Sequence, residues 1–496
     1  MTTQIPPGGR VSGTRLAGLL GNWRQNGSRR GAADLAAAVE LQVLDGQLPT
    51  GTRLPAEREL ADALDVSRTL VVTALDRLRE DGLVASRRGA GSWVTSPSGT
   101  REPGLPVTEE AIDLARASPN AVPGLTAAVD RSRRHLGEEL ARHGYCDLGL
   151  RDLRERIAER YTARGLPTTR KQVMITNGAH QAFVVALRML AGPGDRVLVE
   201  QPSYPNALEA IRASHAITVP VGIGPFIGDA EGPGEVATAI PAGWDFAGIE
   251  AALRQAGPRL AYLNVDFHNP TGLRLDAEGR QRLGSVLARS RTPTVVDETL
   301  VELDLTGDPL DGPPPLAAFA PDWTITVGSA SKSYWGGLRL GWIRASNELI
   351  GRLSTARFSV DLGSPVLDQL VLAELFADQE PVLRQRREEI RLLRDTLVGA
   401  VRTHLPDWTF RVPEGGLSLW CRLPEAMSTR LAVAAGGHGV HLAPGSRFAA
   451  HGGLERWMRL PFAQPADRLA EAVRRLGIAW TSVRGSGAGR WDVPVA

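Results

Sequence analysis

The stretch Gly328–Trp342, GSASKSYWGGLRLGW, holds one of only two lysines in the chain. Of 57 Lys plus Arg residues, Lys171 and Lys332 are lysines and all the others are arginines. Wherever the chain needs a positive charge it nearly always uses arginine, a bias of genomic base composition rather than of function. Arginine cannot replace a primary amine that must attack a carbonyl, because its guanidinium stays protonated. A shielded lysine loses its proton and becomes a nucleophile. Lys332 stands between two serines, ahead of the glycine pair Gly336–Gly337 and of Arg339. Its neighbours in space decide whether it is a solvated loop lysine or a reactive one.

The 496 residues exceed one ordinary core, so two or three domains are expected. Apolar content of 43% and charged content of 23% are those of a globular protein. A formal net charge of +2 excludes any bulk electrostatic attraction to nucleic acid or membrane, so a basic site must be local. Cys146 and Cys421 build no disulfide framework and share no metal-ligand spacing, which fits a reducing cytosol. The N-terminus lacks a basic segment followed by an apolar one, and no apolar run approaches the roughly 20 residues of a membrane helix. A cytoplasmic place without membrane contact is therefore expected. No internal repeat is visible.

Composition divides the chain. Residues 1–31, rich in Gly, Arg and Ser, read as a flexible segment. Residues 32–95 are compact and helical. Residues 96–111, nearly coincident with TSPSGTREPGLPVTEE (95–110), have a linker's Pro, Gly and Ser content. From 112 to 480, helical stretches alternate with the short apolar runs QVMIT, DRVLVE, LAYLNV, PTVVDE and WTITVGS, a βα pattern that predicts a parallel sheet. Ile223–Trp244 reads as a long surface loop, DGPPPLAAFAPD as a rigid connector, and 481–496 as a frayed tail.

In residues 32–95 three helices precede a glycine-tipped ribbon. Leu35, Val39, Leu41 and Val43 give the first helix a buried stripe, Pro55 suits the start of the second, and Ser67 suits the N-cap of the third. LVASRRGAGSWV then makes two short strands. Two helices, a short turn and a hairpin are the layout of a winged helix-turn-helix, whose third helix enters the major groove while the wing lies along the backbone. Arg68 at the helix start reaches bases or phosphate, and Arg87 and Arg88 on the wing reach phosphates. The ordered pieces RLPAERELADALDVSR, TALDRLREDGLV and RRGAGSWV resemble the GntR family of bacterial winged-helix regulators. That resemblance implies double-stranded DNA as partner and Arg58, Ser67, Arg68, Thr69, Arg87, Arg88, Gly89 and Gly91 as contacts. Ala56 stands where the family usually has serine. Leu70 and Val72 stand where it commonly has threonine and a polar or basic residue, which leaves the recognition helix with few polar tips.

In the larger part, TNGAHQA (176–182) follows a strand and opens a helix, whose free N–H groups and positive dipole end suit a phosphate. EQPSYPN puts Tyr204 in a loop, where its ring can stack on a flat cofactor. DFHNPTG carries Asn269, VVDETL ends in Asp297, and GSASK brings Lys332. Strand ends of a parallel sheet converge on one crevice. An amine, a carboxylate, an amide, an aromatic and a phosphate cradle together match pyridoxal phosphate, which has an aldehyde, a ring nitrogen, a phenolic oxygen and a phosphate.

These motifs, with GYCDLGLRDLRERIAERY and ERWMRLPFA, resemble the class I aminotransferases of fold type I over roughly 112–480. The resemblance implies an α/β transferase domain with a smaller C-terminal α+β part. It makes Lys332 the lysine that bonds the cofactor and Asp297 the partner of its ring nitrogen. Asn269 serves the phenolic oxygen, Tyr204 stacks on the ring, and Gly178, Ala179, His180, Ser329 and Arg339 hold the phosphate. Tyr145 matches a tyrosine that reaches the neighbouring subunit's phosphate, implying a homodimer, and Arg459 matches the arginine that pairs with a substrate carboxylate. The family places a tyrosine two or three residues after the aspartate, where this chain has Thr299 and Leu300. Thr299 offers only a weaker hydrogen bond, so cofactor binding without efficient turnover is expected. Gly336 stands where related sequences often have proline. His438, His441 and His451 lack the carboxylate or cysteine pattern of a metal site, and no metal is expected.

A GntR-like winged helix joined to an aminotransferase-like domain is the layout of the MocR/GabR regulators. The expectation is a transcription regulator whose large domain senses an amine, an amino acid or the cofactor itself. A working aminotransferase with an accessory DNA-binding module, and a cofactor-free scaffold, are the alternatives.

Overall fold

The computed structural model describes residues 9–20, 23, 31–44, 48, 51–80, 82–87, 91–95, 111–224 and 243–485. Arg88 and Gly89 of the wing, most of the 96–111 linker, the centre of the 223–244 stretch and residues 486–496 lie outside them, as does the Leu41 side chain.

The N-terminal part contains α1 (Gly13–Leu20), α2 (Gly31–Leu44), α3 (Glu57–Leu64), α4 (Arg68–Glu80), and the antiparallel pair β1 (Val84–Arg87) and β2 (Gly91–Val94). Leu35 and Val39 of α2, Leu60 of α3, Val71, Leu75 and Leu78 of α4, and Val84 and Val94 of the ribbon form one core. Ser67 precedes α4, and its Oγ accepts the Leu70 N–H at 3.3 Å, as expected of an N-cap. Pro55 lies just before α3, whose N-cap is Ala56.

The reading of residues 1–31 as flexible needs correction at its centre. Gly13–Leu20 is a helix, too short to persist alone, held by burial of Val11, Leu16 and Leu20 in the same core. Gly13 permits the close approach, since a Cβ there would meet the Glu59 carbonyl oxygen at 2.8 Å. Its N–H donates to Glu59 Oε1 at 2.9 Å. Val11 N–H donates to Arg53 O at 3.0 Å and Arg53 N–H to Gly9 O at 3.1 Å, so the segment adds backbone pairing beside the ribbon. Its Gly- and Arg-rich composition concealed three apolar residues of suitable spacing.

The short strand β3 (Ile112–Leu114) opens the larger part. Helices α5 (Leu125–Leu140) and α6 (Arg151–Ala163) follow, then the strands β4 (Val173–Thr176), β5 (Arg196–Gln201), β6 (Ile217–Gly222), β7 (Leu260–Leu263), β8 (Thr294–Asp297), β9 (Thr324–Ser329) and β10 (Gly341–Arg344). They form one sheet in the order β4-β10-β9-β8-β7-β5-β6. All pairs are parallel except those of β10, which runs antiparallel to both β4 and β9. The strands β4, β7, β8 and β9 are buried throughout, as strands covered on both faces must be. The sequence reading missed β6 and β10. β10 lies inside GLRLGWIR, where glycine and arginine hide the strand pattern. A Cβ on Gly341 would stand 2.6 Å from Ala179 N, Gly178 C and Gly328 O, so only glycine lets β10 enter between the two turns.

A second sheet combines β11 (Thr409–Phe410), β12 (Ser418–Arg422), β13 (Val440–Pro444) and β14 (Trp457–Pro461) with β3, in the order β11-β12-β14-β13-β3. The helices Gln379–His404 and Ala466–Gly485 cover it. The expected tail from 481 is thereby shortened. The last helix runs to Gly485, Val483 is buried, and Arg484 pairs with Asp407 at 3.0 Å. Where the 223–244 stretch is described, its ends are closed. Gly224 N–H donates to Gly243 O at 2.7 Å, and buried Trp244 donates its indole N–H to Glu200 at 2.5 Å. Among the described residues no helix is long and apolar enough to cross a membrane.

Candidate cofactor and ligand site

The ends of β4, β5, β7, β8 and β9 open on a cavity of about 790 Å³ between the two sheets. Eleven of the twelve residues proposed for the large domain line it: Gly178, Ala179, His180, Tyr204, Asn269, Asp297, Thr299, Ser329, Lys332, Arg339 and Arg459. Tyr145 does not. It is 62% exposed on the outer surface.

Lys332 sits in the one-turn helix Ala330–Ser333, whose start is fixed by Ser329 Oγ accepting the Ser331 N–H at 3.1 Å. Its Nζ donates to the Ala117 carbonyl at 2.6 Å. Burial lowers its pKa to about 8, and the Arg459 and Arg339 guanidinium groups push the same way against Asp297. The neutral amine is thus about a tenth of the population at pH 7, against well under a thousandth for a free lysine. Pyridoxal phosphate added to the cofactor-free protein is accordingly expected to be captured faster as pH rises, levelling off above about 8. A stopped-flow series of the visible absorbance checks this, and a rate still climbing at pH 10 speaks against a depressed pKa.

Asp297 is held on both oxygens. Oδ2 accepts the Tyr262 hydroxyl at 2.7 Å and Oδ1 accepts the Thr299 N–H at 2.9 Å. Burial and the neighbouring carboxylate raise the Tyr262 pKa well above its ordinary value, so the phenol keeps its proton and remains a donor. Thr299 thus bonds Asp297 through its backbone. Leu300 fills the adjoining wall and brings no polar atom.

The turn before α7 (Ala179–Leu190) forms a cradle. Gly178 has φ +90°, a conformation L side chains rarely adopt, and a Cβ there would meet an Arg339 guanidinium nitrogen at 3.1 Å. Free α7 N–H groups, Arg339 and Ser329 face one space, the donor set a phosphate needs. His180 packs edge-on to Tyr204 with ring centroids 6.5 Å apart. Burial, then Arg339, lowers the His180 pKa, which favours the neutral ring. Arg459 is almost wholly buried on β14, over the Phe448 ring at 5.0 Å. It donates to Ala115 O and, at 3.4 Å, to Asn269 Oδ1, while its Nε is left without a partner. Burial lowers its pKa to about 10, so it keeps its charge at neutral pH. A buried cation with an orphaned N–H is a site prepared for an anion.

Sequence reasoning missed Tyr262, the Ala115 and Ala117 carbonyls and Arg447, all at or in the cavity wall. Tyr262 sits in LAYL, which reads only as core. Nothing local to Ala115 signals that β3 pairs with β13 and lays the following residues over Lys332.

Residues 117–476 match the family Aminotransferase class I and II. The chain belongs to that family. Members of the family depend on pyridoxal phosphate, and the donor set around Lys332 and Gly178 fits it. Residues 32–94 match a second family, bacterial regulatory proteins of the gntR family. The chain therefore has the architecture of a GntR-type regulator fused to an aminotransferase-like domain. It is 26% identical over 487 residues to the "Probable rhizopine catabolism regulatory protein MocR" of Rhizobium meliloti, covering 91% of this chain and 94% of that protein. It is 31% identical over 329 residues to 2-aminoadipate transaminase of Thermus thermophilus, covering 64% and 78%. Among solved structures, LysN, the α-aminoadipate aminotransferase of the same organism in complex with N-(5'-phosphopyridoxyl)-L-leucine, aligns with a TM-score of 0.66 at 28% identity. That alignment covers 76% of this chain and 94% of LysN.

Proposed function

We propose that the chain is a cytoplasmic, homodimeric transcription regulator that holds pyridoxal phosphate on Lys332 and changes its grip on DNA when an amino acid or amine enters the cavity. The observation that carries this reading is the coexistence, in one chain, of a winged helix and a full donor set for the cofactor around a lysine of lowered pKa. The bound cofactor would supply an electrophilic carbon and an electron sink. Lys332 provides the amine, Asp297 holds the ring-nitrogen proton and Asn269 faces the phenolic oxygen. Tyr204 backs the ring. Gly178, Ala179, His180, Ser329 and Arg339 receive the phosphate, and Arg459 takes a ligand carboxylate. Thr299 and Leu300 in place of a phenol favour binding over rapid turnover, because a threonine hydroxyl would be a weaker donor to the phenolic oxygen than a tyrosine's and leucine offers none.

Support for a dimer comes from the surface around Tyr145. Phe358 (52% exposed), Leu362 (56%) and Leu367 (59%) stand out from it. Arg357 ties this turn to the Tyr145 loop, donating to Asp147 O at 3.4 Å. An apolar surface of this kind suits a second copy. Asp361 in the same turn accepts from Asn177 at 3.0 Å and from Gln181, so the phosphate-cradle turn and this surface share one hydrogen-bond network. Occupancy of the cradle has a physical route to the interface, and a ligand with different affinity for two dimer states shifts their balance.

On the DNA side, Arg68 is exposed at the start of α4 and pairs with Glu57 at 3.2 Å, and Arg87 is exposed on β1. Arg88 and Gly89 are proposed contacts outside the described residues. Arg58, Ser67, Thr69 and Gly91 complete the face. Arg87→Ala is expected to weaken binding uniformly across sequences and to lower the salt slope by about 1, whereas Arg68→Ala also relaxes sequence preference. The test uses duplexes selected from a random library on the cofactor-loaded full chain, with affinity measured against salt, with and without amino acids. Ligand-dependent affinity supports the regulator. Affinity indifferent to every ligand, together with repeated turnover in the presence of a keto acid, would make the chain an enzyme.

A further inference from the structure

The cavity wall carries more positive charge than a cofactor and a single carboxylate account for. Five cationic side chains line it, Arg116, Lys332, Arg339, Arg447 and Arg459, against one carboxylate, Asp297. On the reading above, Lys332 is consumed by the cofactor, Arg339 faces its phosphate and Arg459 takes a ligand's α-carboxylate. Arg116 has Asp113 at 3.7 Å. Arg447 remains, with no hydrogen bond or ion pair among the described residues.

Arg447 is not on a loose loop. It lies in the turn Gly445–Phe448, between two buried residues. On one side Ser446 exchanges a hydrogen bond with Thr429 at 3.0 Å. On the other, Phe448 O accepts the Ser203 N–H at 2.8 Å, and the Phe448 ring lies under Arg459. At Gly445 a Cβ would stand 2.2 Å from Leu454 O, so the turn packs directly against the backbone of the Leu454–Trp457 segment. The fold thus fixes a second, unpaired cation beside a buried one. Two such neighbours repel each other until an anion joins them.

We propose that Arg447 receives a second acidic group, and that the ligand is an amino acid whose side chain ends in a carboxylate. The amine lies toward Lys332, the α-carboxylate on Arg459 and the distal carboxylate on Arg447. This rests on the ligand-sensing reading and narrows it to a ligand class. A neutral amide of the same shape can accept one Arg447 N–H through its carbonyl oxygen but brings no counter-charge and no bidentate pair.

Isothermal titration of the cofactor-loaded full chain with L-glutamate, L-glutamine, L-aspartate and L-asparagine tests it. The expected result is at least about tenfold tighter binding of an acid than of its amide. In Arg447→Gln that ratio collapses toward one, and in Arg447→Lys part of it returns. Arg447 is exposed to the cavity, and an unchanged visible spectrum reports that the variant keeps its site. Equal binding of acid and amide by the wild type, or an acid preference that survives Arg447→Gln, overturns this proposal and leaves ligand sensing standing. Binding of none of the four also overturns it, and the ligand-sensing reading then stands or falls on the DNA-affinity test with other amino acids and amines.

Discussion

Lys332→Ala is expected to abolish the yellow absorbance of lysine-bound pyridoxal phosphate, even with excess cofactor. The reason is chemical rather than steric. The only other lysine, Lys171, lies in the short helix Arg170–Gln172, on the exposed side of the fold and outside the cavity wall. Arginine, which supplies nearly every other positive charge, cannot lose its proton to attack an aldehyde. The substitution removes one hydrogen bond, to Ala117 O, so the fold is expected to persist. Reduction with borohydride followed by peptide mass analysis checks the assignment. The wild type should carry the label on Lys332 alone, and the variant should carry none. Retention of a covalent label in Lys332→Ala would remove the basis of the functional reading.

Glu298→Leu is expected to cost about 3–5 kcal/mol of stability, the usual penalty for stranding a buried charge. Glu298 follows Asp297 directly, yet its side chain turns away beneath the sheet and accepts from Arg164 Nη1 at 2.7 Å, both partners being almost wholly buried. Arg164 Nε and Nη2 have no further partner, so Glu298 is the main compensation for that guanidinium. Burial raises the Glu298 pKa against the pull of Arg164, which marks how strongly this environment resists a lone charge. Denaturant or thermal melts of Glu298→Leu, Arg164→Leu and the double variant form a cycle. The double variant is expected to recover much of the loss, because replacing both partners leaves no uncompensated ion. A Glu298→Leu protein as stable as wild type would show that water compensates Arg164.

Asp297 and Glu298 are adjacent residues of one motif, VVDETL, but only the first was legible beforehand. Asp297 could be placed because strand-end carboxylates of a parallel sheet face the crevice. The turn of Glu298 toward Arg164 depends on how α6 packs under the sheet, which no local pattern encodes. The same divide separates Ser67, whose capping role follows from its immediate neighbours, from α1. That helix exists because Leu16 and Leu20 find a core made by three other helices.

By itself, then, the sequence determined the two-part architecture and named eleven residues that the structure brings together around one cavity, because those rest on short motifs. A glycine turn at a helix start, a carboxylate at a strand end and a lysine in a serine-rich turn keep their meaning wherever the strands are laid side by side. What surrounds those groups was decided only by the tertiary structure. Tyr262 on Asp297, the Ala117 carbonyl on Lys332 and Arg447 in the wall come from pairings between distant segments, β7 with β8 and β3 with β13. The chemistry a site contains is written in local residue types, whereas the charge, burial and hydrogen bonds that tune it arise from contacts between segments with no common pattern.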